Sequence, residues 1–144
     1  MLKIKVKYHA DIDPLEKITA GDWIDLRCAE ATEIPYGEYR QIPLGVSMQL
    51  PKGYEAIIAP RSSLFKKHGI LLANSIGVID EQYCGDDDQW SFLAFGANPD
   101  GAYIPKNERI CQFRIIKHQP RLCFEAVEHL GNANRGGIGS TGKF

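Results

Sequence analysis

Residues 42–59 read Ile-Pro-Leu-Gly-Val-Ser-Met-Gln-Leu-Pro-Lys-Gly-Tyr-Glu-Ala-Ile-Ile-Ala. Ile42, Leu44, Val46, Met48 and Leu50 fall on every second position. Side chains alternate between the two faces of an extended strand, so this spacing gives one apolar face. Pro51-Lys52-Gly53 interrupts the pattern, and Tyr54–Ala59 resumes it as a second strand. The same period runs outward in both directions. Leu2, Ile4, Val6 and Tyr8 alternate with lysines, and Ile24, Leu26 and Cys28 alternate with Asp25 and Arg27. Ile76–Ile79, Trp90–Phe95, Ile110–Lys117 and Leu122–Val127 are further strand candidates. Only Ser62–Leu71 has room for a helix, which Gly69 limits to about two turns. The expectation is an all-β domain of many short strands, sandwich or barrel, with one short helix, no internal repeat and no linker.

The chain has 144 residues, 44% of them hydrophobic and 24% charged, with a net charge of −1. Length and composition fit one globular domain of about 100–150 residues. The near-zero charge argues against nucleic acid as the main partner, although a small anion needs only a few placed arginines. No apolar run approaches the roughly 20 residues of a membrane helix. The first residues lack the continuous apolar stretch of a signal peptide, so the chain is expected to be cytoplasmic. In that compartment Cys28, Cys84, Cys111 and Cys123 are expected as free thiols. The scattered cysteines and histidines form no metal-ligand spacing.

Three segments carry the chemistry. Ala59-Pro60-Arg61-Ser62-Ser63-Leu64 puts a guanidinium and two hydroxyls at a strand end, suited either to a phosphate or to an ordinary serine helix cap. Gly77-Val78-Ile79-Asp80-Glu81-Gln82-Tyr83 delivers a carboxylate able to deprotonate a water and a ring able to pack on a sugar. Arg135-Gly136-Gly137-Ile138-Gly139-Ser140-Thr141-Gly142 joins an arginine to glycines and hydroxyls that can curl around an anion. Its spacing excludes a Walker-type loop. The segment lies in a glycine-rich terminus, 131–144, which reads either as a flexible tail or as an arm that orders over a ligand or a neighbouring subunit. Two arginines, several donors, a carboxylate and a stacking ring together suit a nucleoside triphosphate.

In this order the segments resemble motifs of the trimeric dUTP pyrophosphatases, the dUTPase family. Pro60-Arg61-Ser62-Ser63-Leu64 leading to His68-Gly69-Ile70 is similar to the second motif, and Asn74 with Gly77-Val78-Ile79-Asp80, Tyr83 and Gly85-Asp86 to the third. Arg109-Ile110-Cys111-Gln112-Phe113 matches the fourth and Arg135–Gly142 the fifth. The first motif is looser: Gly21-Asp22-Trp23-Ile24-Asp25-Leu26 resembles the variant of Gram-positive bacteria and their phages. The resemblance implies a jelly-roll-like β subunit over residues 1–130 in a homotrimer. Its active sites would lie at subunit interfaces, with the arm at 131–144 closing over a neighbour's site.

The implied reaction is hydrolysis of dUTP to dUMP and pyrophosphate, which keeps uracil out of DNA and supplies dUMP for dTMP synthesis. Asp80 would deprotonate the water attacking the α-phosphorus. Tyr83 would exclude a 2′-hydroxyl, and Asn74, Gly77 and Ile79 would form the uracil and deoxyribose pocket. Arg61, Ser62, Ser63 and Gln112 would hold the phosphates, with Arg135, Gly139, Ser140 and Thr141 clamping the γ-end. Mg²⁺ would ride on the triphosphate oxygens with no direct protein ligand, meeting Asp25 through a bound water. The family's uracil-stacking aromatic is replaced by Ile138, in a segment slightly shorter than usual. Trp90, Phe92 and Phe144 are therefore the candidate lids. The competing readings are a dCTP deaminase, a phage-type regulator acting through protein contacts, and a ligand-free β-sandwich. Asp80 and Tyr83 favour dUTP over the deaminase.

Overall fold

The computed structural model describes residues 1–143. Among them are eleven strands and one helix: β1 (Lys5–Tyr8), β2 (Ile24–Arg27), β3 (Thr32–Ile34), β4 (Tyr39–Pro43), β5 (Val46–Gln49), β6 (Tyr54–Pro60), α1 (Leu64–His68), β7 (Ile70–Leu72), β8 (Gly77–Ile79), β9 (Ser91–Gly96), β10 (Ala102–Ile104) and β11 (Arg109–Lys117). The strands form two two-stranded ribbons, β1-β5 and β10-β3, a four-stranded sheet β2-β11-β6-β8, and a three-stranded sheet β4-β9-β7. All pairs are antiparallel. The sheets do not close into a barrel, so the jelly-roll-like fold takes its sandwich form. No helix among the described residues is long and apolar enough to cross a membrane.

The stretch 42–59 shows how the sandwich is turned. Its alternation is continuous, yet the strand divides at Gly45, where φ is +72°. Before the kink, Ile42 sits opposite Phe92 of β9. After it, Val46 and Met48 sit opposite Tyr8 and Val6 of β1. One apolar stripe is thereby passed from one sheet to another at a residue whose backbone an L side chain rarely adopts. The Gly45 N–H and C=O remain satisfied, by Gln89 Oε1 at 3.0 Å and the His9 N–H at 2.8 Å.

Strands β3, β7 and β10, three residues each, are too short to show a period. Sequence reading passes over β3 and β10 and includes Ile70–Leu71 of β7 in the helix candidate Ser62–Leu71, which in the structure ends at His68. The opposite error occurs at Leu122–Val127. The segment is expected as a strand, but β11 ends the regular structure at Lys117. Leu122, Phe124, Val127 and Leu130 stand exposed, Phe124 at 91%. A ladder needs a neighbouring edge, and within one chain this segment lies against none.

Buried faces of the sheets meet in one core that includes Leu26, Ile34, Ile42, Ile58, Trp90, Phe92 and Phe113. Trp90 and Phe113 pack edge to face, centroids 5.2 Å apart and planes at 84°, the arrangement aromatic quadrupoles favour. Trp90 and Phe92 are both fully buried. That removes them as lids over a nucleotide, because a ring at the centre of the core has no face to offer. Phe144 lies outside the described residues. All four cysteines are free. Burial pushes the Cys28 and Cys111 thiols up, Cys111 strongly, so these two serve as small apolar groups. Phe113→Ala is expected to destabilise the protein by about 3–5 kcal/mol, measured by equilibrium urea unfolding.

Candidate functional site

The site residues fall into three sets, each gathered by a different part of the fold. The first surrounds Asp25. Strand β2 sets Asp25 opposite Gln112 of β11, and β11 sets Gln112 opposite Ala59 of β6. Beyond the end of β6, Arg61 turns back so that its Nε lies 3.2 Å from Asp25 Oδ1. Arg109 Nη1 lies 3.1 Å from Asp25 Oδ2. A register shift between Arg109 and Cys111 puts a bulge at the head of β11, the kind of irregularity that re-aims a side chain. One carboxylate therefore holds two guanidinium groups side by side. Both arginines keep donors for an incoming anion, since each offers five N–H groups. Gln112 Nε2 donates to the Pro60 carbonyl at 3.3 Å, holding its amide beside Arg61.

Ser62 and Ser63 are exposed next to this pair. Ser63 occupies the helix N-cap position, but its side chain makes no capping hydrogen bond. The ordinary capping reading therefore fails here, and the hydroxyl is left for a ligand. Helix α1 ends as expected at Gly69, left-handed with φ +65°, whose N–H donates to Phe65 O at 2.7 Å.

A second tie fixes these phosphate-type segments to each other. His68 Nε2 lies 3.0 Å from Glu108 Oε2 and 3.1 Å from Oε1, and Lys67 pairs with the same carboxylate. Burial by itself would raise the Glu108 pKa, but the bonds from Lys67 and His68 outweigh it and hold the carboxyl below its ordinary value. Helix α1, which follows Ser62 and Ser63, is thus locked to the residue that precedes Arg109. Sequence reading assigns roles to neither Arg109 nor Glu108. Their partners lie 84 and 40 positions away, and no local spacing signals such pairs.

The second set belongs to β8 and its flanks. Asn74 is exposed in the turn after β7, where Ser75 has φ +62°. Gly77 packs so close to β6 that a Cβ would lie 2.9 Å from Ile58 Cβ, and Ile79 is buried. Asp80 is exposed just beyond β8, and its carboxylate makes no ion pair among the described residues. The Tyr83 N–H donates to Asp80 O at 3.0 Å, and its hydroxyl to Gln89 O at 3.1 Å, leaving the ring 41% exposed.

The third set is the arm. Arg135, Gly139, Ser140 and Thr141 are exposed in a run of turns, with Ser140 N–H to Gly137 O at 3.0 Å and Gly142 N–H to Gly139 O at 3.2 Å. Gly136, Gly139 and Gly142 have φ of +90°, +78° and +81°, the left-handed backbone that lets a chain wrap an anion. Ile138 is fully exposed and covers nothing.

The fold does not bring the first two sets together. Ile79 faces Ala56, which places Asp80 beside Glu55 at the start of β6, while Arg61 follows its far end. The six residue-to-residue steps from Glu55 to Arg61 span about 20 Å of extended chain. An arginine side chain cannot cross that distance, so within one chain Asp80 and Arg61 cannot act on one phosphate group.

Arginines paired on a carboxylate, exposed serine hydroxyls and an aspartate outside any ion pair among the described residues, carried on an antiparallel sandwich, are the groups that a phosphate ester and an attacking water require. Comparison with known proteins narrows this reading. The family model described as dUTPase matches residues 11–142, and the chain belongs to the dUTPase family. It is 49% identical over 142 residues to the SPbeta prophage-derived deoxyuridine 5'-triphosphate nucleotidohydrolase of Bacillus subtilis, covering 98% of this chain and 99% of that one. The deoxyuridine 5'-triphosphate nucleotidohydrolase of Escherichia phage T5 is 33% identical, with 99% of both chains covered. Among solved structures, the dUTPase of Staphylococcus bacteriophage 80alpha with dUPNHPP superposes with a TM-score of 0.82 at 19% identity, over 98% of this chain and 99% of that one. The Streptococcus mutans dUTPase gives 0.72 at 23% identity, over 84% and 98%. At these identities the superpositions show the shared fold. Phage dUTPases, with that of bacteriophage 80alpha among them, control transfer of virulence genes.

Glu108 provides a test of the tie between α1 and β11. A carboxyl whose folded pKa is depressed adds stability above its unfolded pKa, and this is lost as pH falls through the folded value. Glu108→Gln is therefore expected to cost about 1–3 kcal/mol at neutral pH. The difference from the parent protein should shrink as the pH is lowered through and below the usual carboxylate range, read from thermal melts across pH.

Proposed function

We propose that this chain hydrolyses dUTP to dUMP and pyrophosphate at sites that copies of the chain build together. The observation that carries the reading is the spacing along β6: a phosphate-type group around Asp25, Arg61 and Arg109 at one end, and an unpaired Asp80 about 20 Å away at the other. A neighbouring copy supplying its own Asp80 to this chain's arginines closes that gap. A closed threefold arrangement, the homotrimer, repeats one such heterologous contact three times. The exposed apolar side chains of 122–130 then find a neighbour's surface, and the arm at 131–144 reaches a site it does not itself flank.

At the assembled site Arg61, Ser62, Ser63 and Gln112 hold the phosphates, and Asp25 keeps Arg61 and Arg109 aligned. Asp80 orients a water towards the α-phosphorus and takes its proton. Tyr83, fixed through Gln89, offers its ring to the deoxyribose and leaves no room for a 2′-hydroxyl. Asn74 and the backbone at Gly77 and Ile79 meet the uracil edge. Gly77 lets this backbone lie tight against β6, because a Cβ there would come within 2.9 Å of Ile58 Cβ. Arg135, Gly139, Ser140 and Thr141 close on the γ-end, where donors offset the charge that grows on the departing pyrophosphate.

Mg²⁺ suits this arrangement through the substrate. It prefers oxygen ligands and keeps several waters. Asp25 already uses both oxygens on arginines, which fits contact with a metal-bound water better than direct ligation. When bound, the ion neutralises charge on the triphosphate. Free thiols at all four cysteines accord with a cytoplasmic setting.

Incubation of the protein with Mg²⁺ and separately with dUTP, dCTP, dTTP and UTP is expected to yield dUMP and pyrophosphate from dUTP alone. Deamination of dCTP would instead identify the competing enzyme. Asp80→Asn should lower kcat by about 10²–10⁴-fold while leaving dUTP binding close to normal; an active variant removes Asp80 from the reaction.

The shared site has its own test. Arg61→Ala and Asp80→Asn proteins, each inactive, are mixed after mild dissociation and reassembly. Hybrid oligomers that pair an intact Arg61 from one copy with an intact Asp80 from another should recover dUTP hydrolysis. Persistent inactivity in confirmed hybrids would place both residues' roles within one chain.

A further inference from the structure

We propose that Glu81 is a positioning residue for Asp80, fastened to the body of the sandwich by the Gly53 amide and the His118 imidazole. The proposal rests on the assignment of Asp80 above. Strand β8 ends at Ile79, so ladder hydrogen bonds do not hold residues 80 and 81. Glu81 supplies the missing anchor. The Gly53 N–H, in the turn before β6, donates to Glu81 Oε2 at 2.9 Å. The Gly53 carbonyl accepts the His118 N–H at 2.9 Å, and His118 Nε2 lies 3.5 Å from the same Glu81 Oε2. Three segments that are distant in sequence thus close a ring of contacts around one carboxylate.

The ring has a local cause. Gly53 has φ +84°, and this left-handed backbone turns its N–H and C=O towards two different partners. Glu81 is only 30% exposed at its side chain, well enough enclosed for its bond to hold a backbone in place. Asp80, by contrast, projects into a surface hollow of about 280 Å³ that it lines with Glu55, His118 and Gln119. No ion pair among the described residues steers its carboxylate. Its direction is set by the backbone that Glu81 holds and by the turn closed from Tyr83 N–H to Asp80 O. A general base must meet its water within hydrogen-bond reach, and a displacement of about 1 Å costs as much as 10²-fold in rate. Loosening Glu81 therefore acts on the chemical step, while the phosphate-type residues at the other end of β6 stay in place.

The test compares Glu81→Ala and Glu81→Gln with the parent enzyme in steady-state dUTP hydrolysis, alongside backbone hydrogen exchange. Glu81→Ala should lower kcat by about ten- to a hundredfold with KM little changed. Glu81→Gln should restore most of the loss, because its amide oxygen can still accept the Gly53 N–H. Exchange should quicken at residues 80–86 in the alanine variant and not at 110–113. Should Glu81→Ala not fold, His118→Ala opens the same ring from its outer side and should show the same pattern at smaller size.

Parent-level kcat in the alanine variant would overturn the proposal. So would an equal loss in both Glu81 variants, which would mean that the charge acts on the substrate directly. A parent protein that leaves dUTP intact while the alanine variant still frees residues 80–86 would sink the Asp80 reading and leave the anchor standing. Unchanged exchange at 80–86 would sink the anchor.

Discussion

The ladder between β6 and β11 is the interaction on which the rest of the molecule depends. Seven residue pairs, from Cys111 opposite Pro60 to Lys117 opposite Tyr54, tie the two longest strands together. One end of that ladder presents Arg61, Gln112 and Arg109. The other presents Glu55, His118 and, through β8, Asp80. Its faces carry Ile58 and Phe113 into the core, so packing and site geometry share one scaffold. Residues that leave the ends of paired strands start from a fixed backbone, so Arg61 and Asp80 inherit their placement from Pro60 and Ile79.

The same rigidity separates the chemistry. A strand of fixed length keeps its two ends apart, and no side chain compensates for it. The proposed reaction needs both ends at one substrate, and for that reason it calls on a second copy. The arm follows the same logic. Residues 131–143 carry left-handed glycines and exposed hydroxyls, and in the proposed assembly they would close on a neighbouring copy's site. Association would convert exposed apolar side chains and idle donors into an interface and a lid in one step.

Electrostatics does around Asp25 what packing does in the core. Two arginines brought close together repel each other, and Asp25, paired with both, offsets that repulsion. Glu108 plays a comparable part between Lys67, His68 and the strand that leads into Arg109. Neither carboxylate needs to touch a substrate to matter. Each fixes the relative position of segments that would otherwise move independently.

By itself the sequence determined the class of backbone and the kinds of functional group. Period-two alternation at Ile42–Leu50 and Ile110–Lys117 means strands wherever those residues end up, because alternation of side chains is a property of the extended chain. Residue type alone offers Arg61, Asp80, Tyr83 and the glycine-rich terminus as groups suited to phosphate and sugar, the reading that the proposed function carries forward. Only the tertiary structure decided that Gly45 would pass the strand between sheets, that Asp25 would hold Arg61 and Arg109, that Trp90 and Phe92 would be core, and that 122–127 would stay unpaired. Those outcomes depend on register and on partners tens of residues away, which local periodicity does not encode. Pairing strands in a fixed register sets which side chains meet, and it also set the 20 Å, or about that, which keeps Asp80 from Arg61.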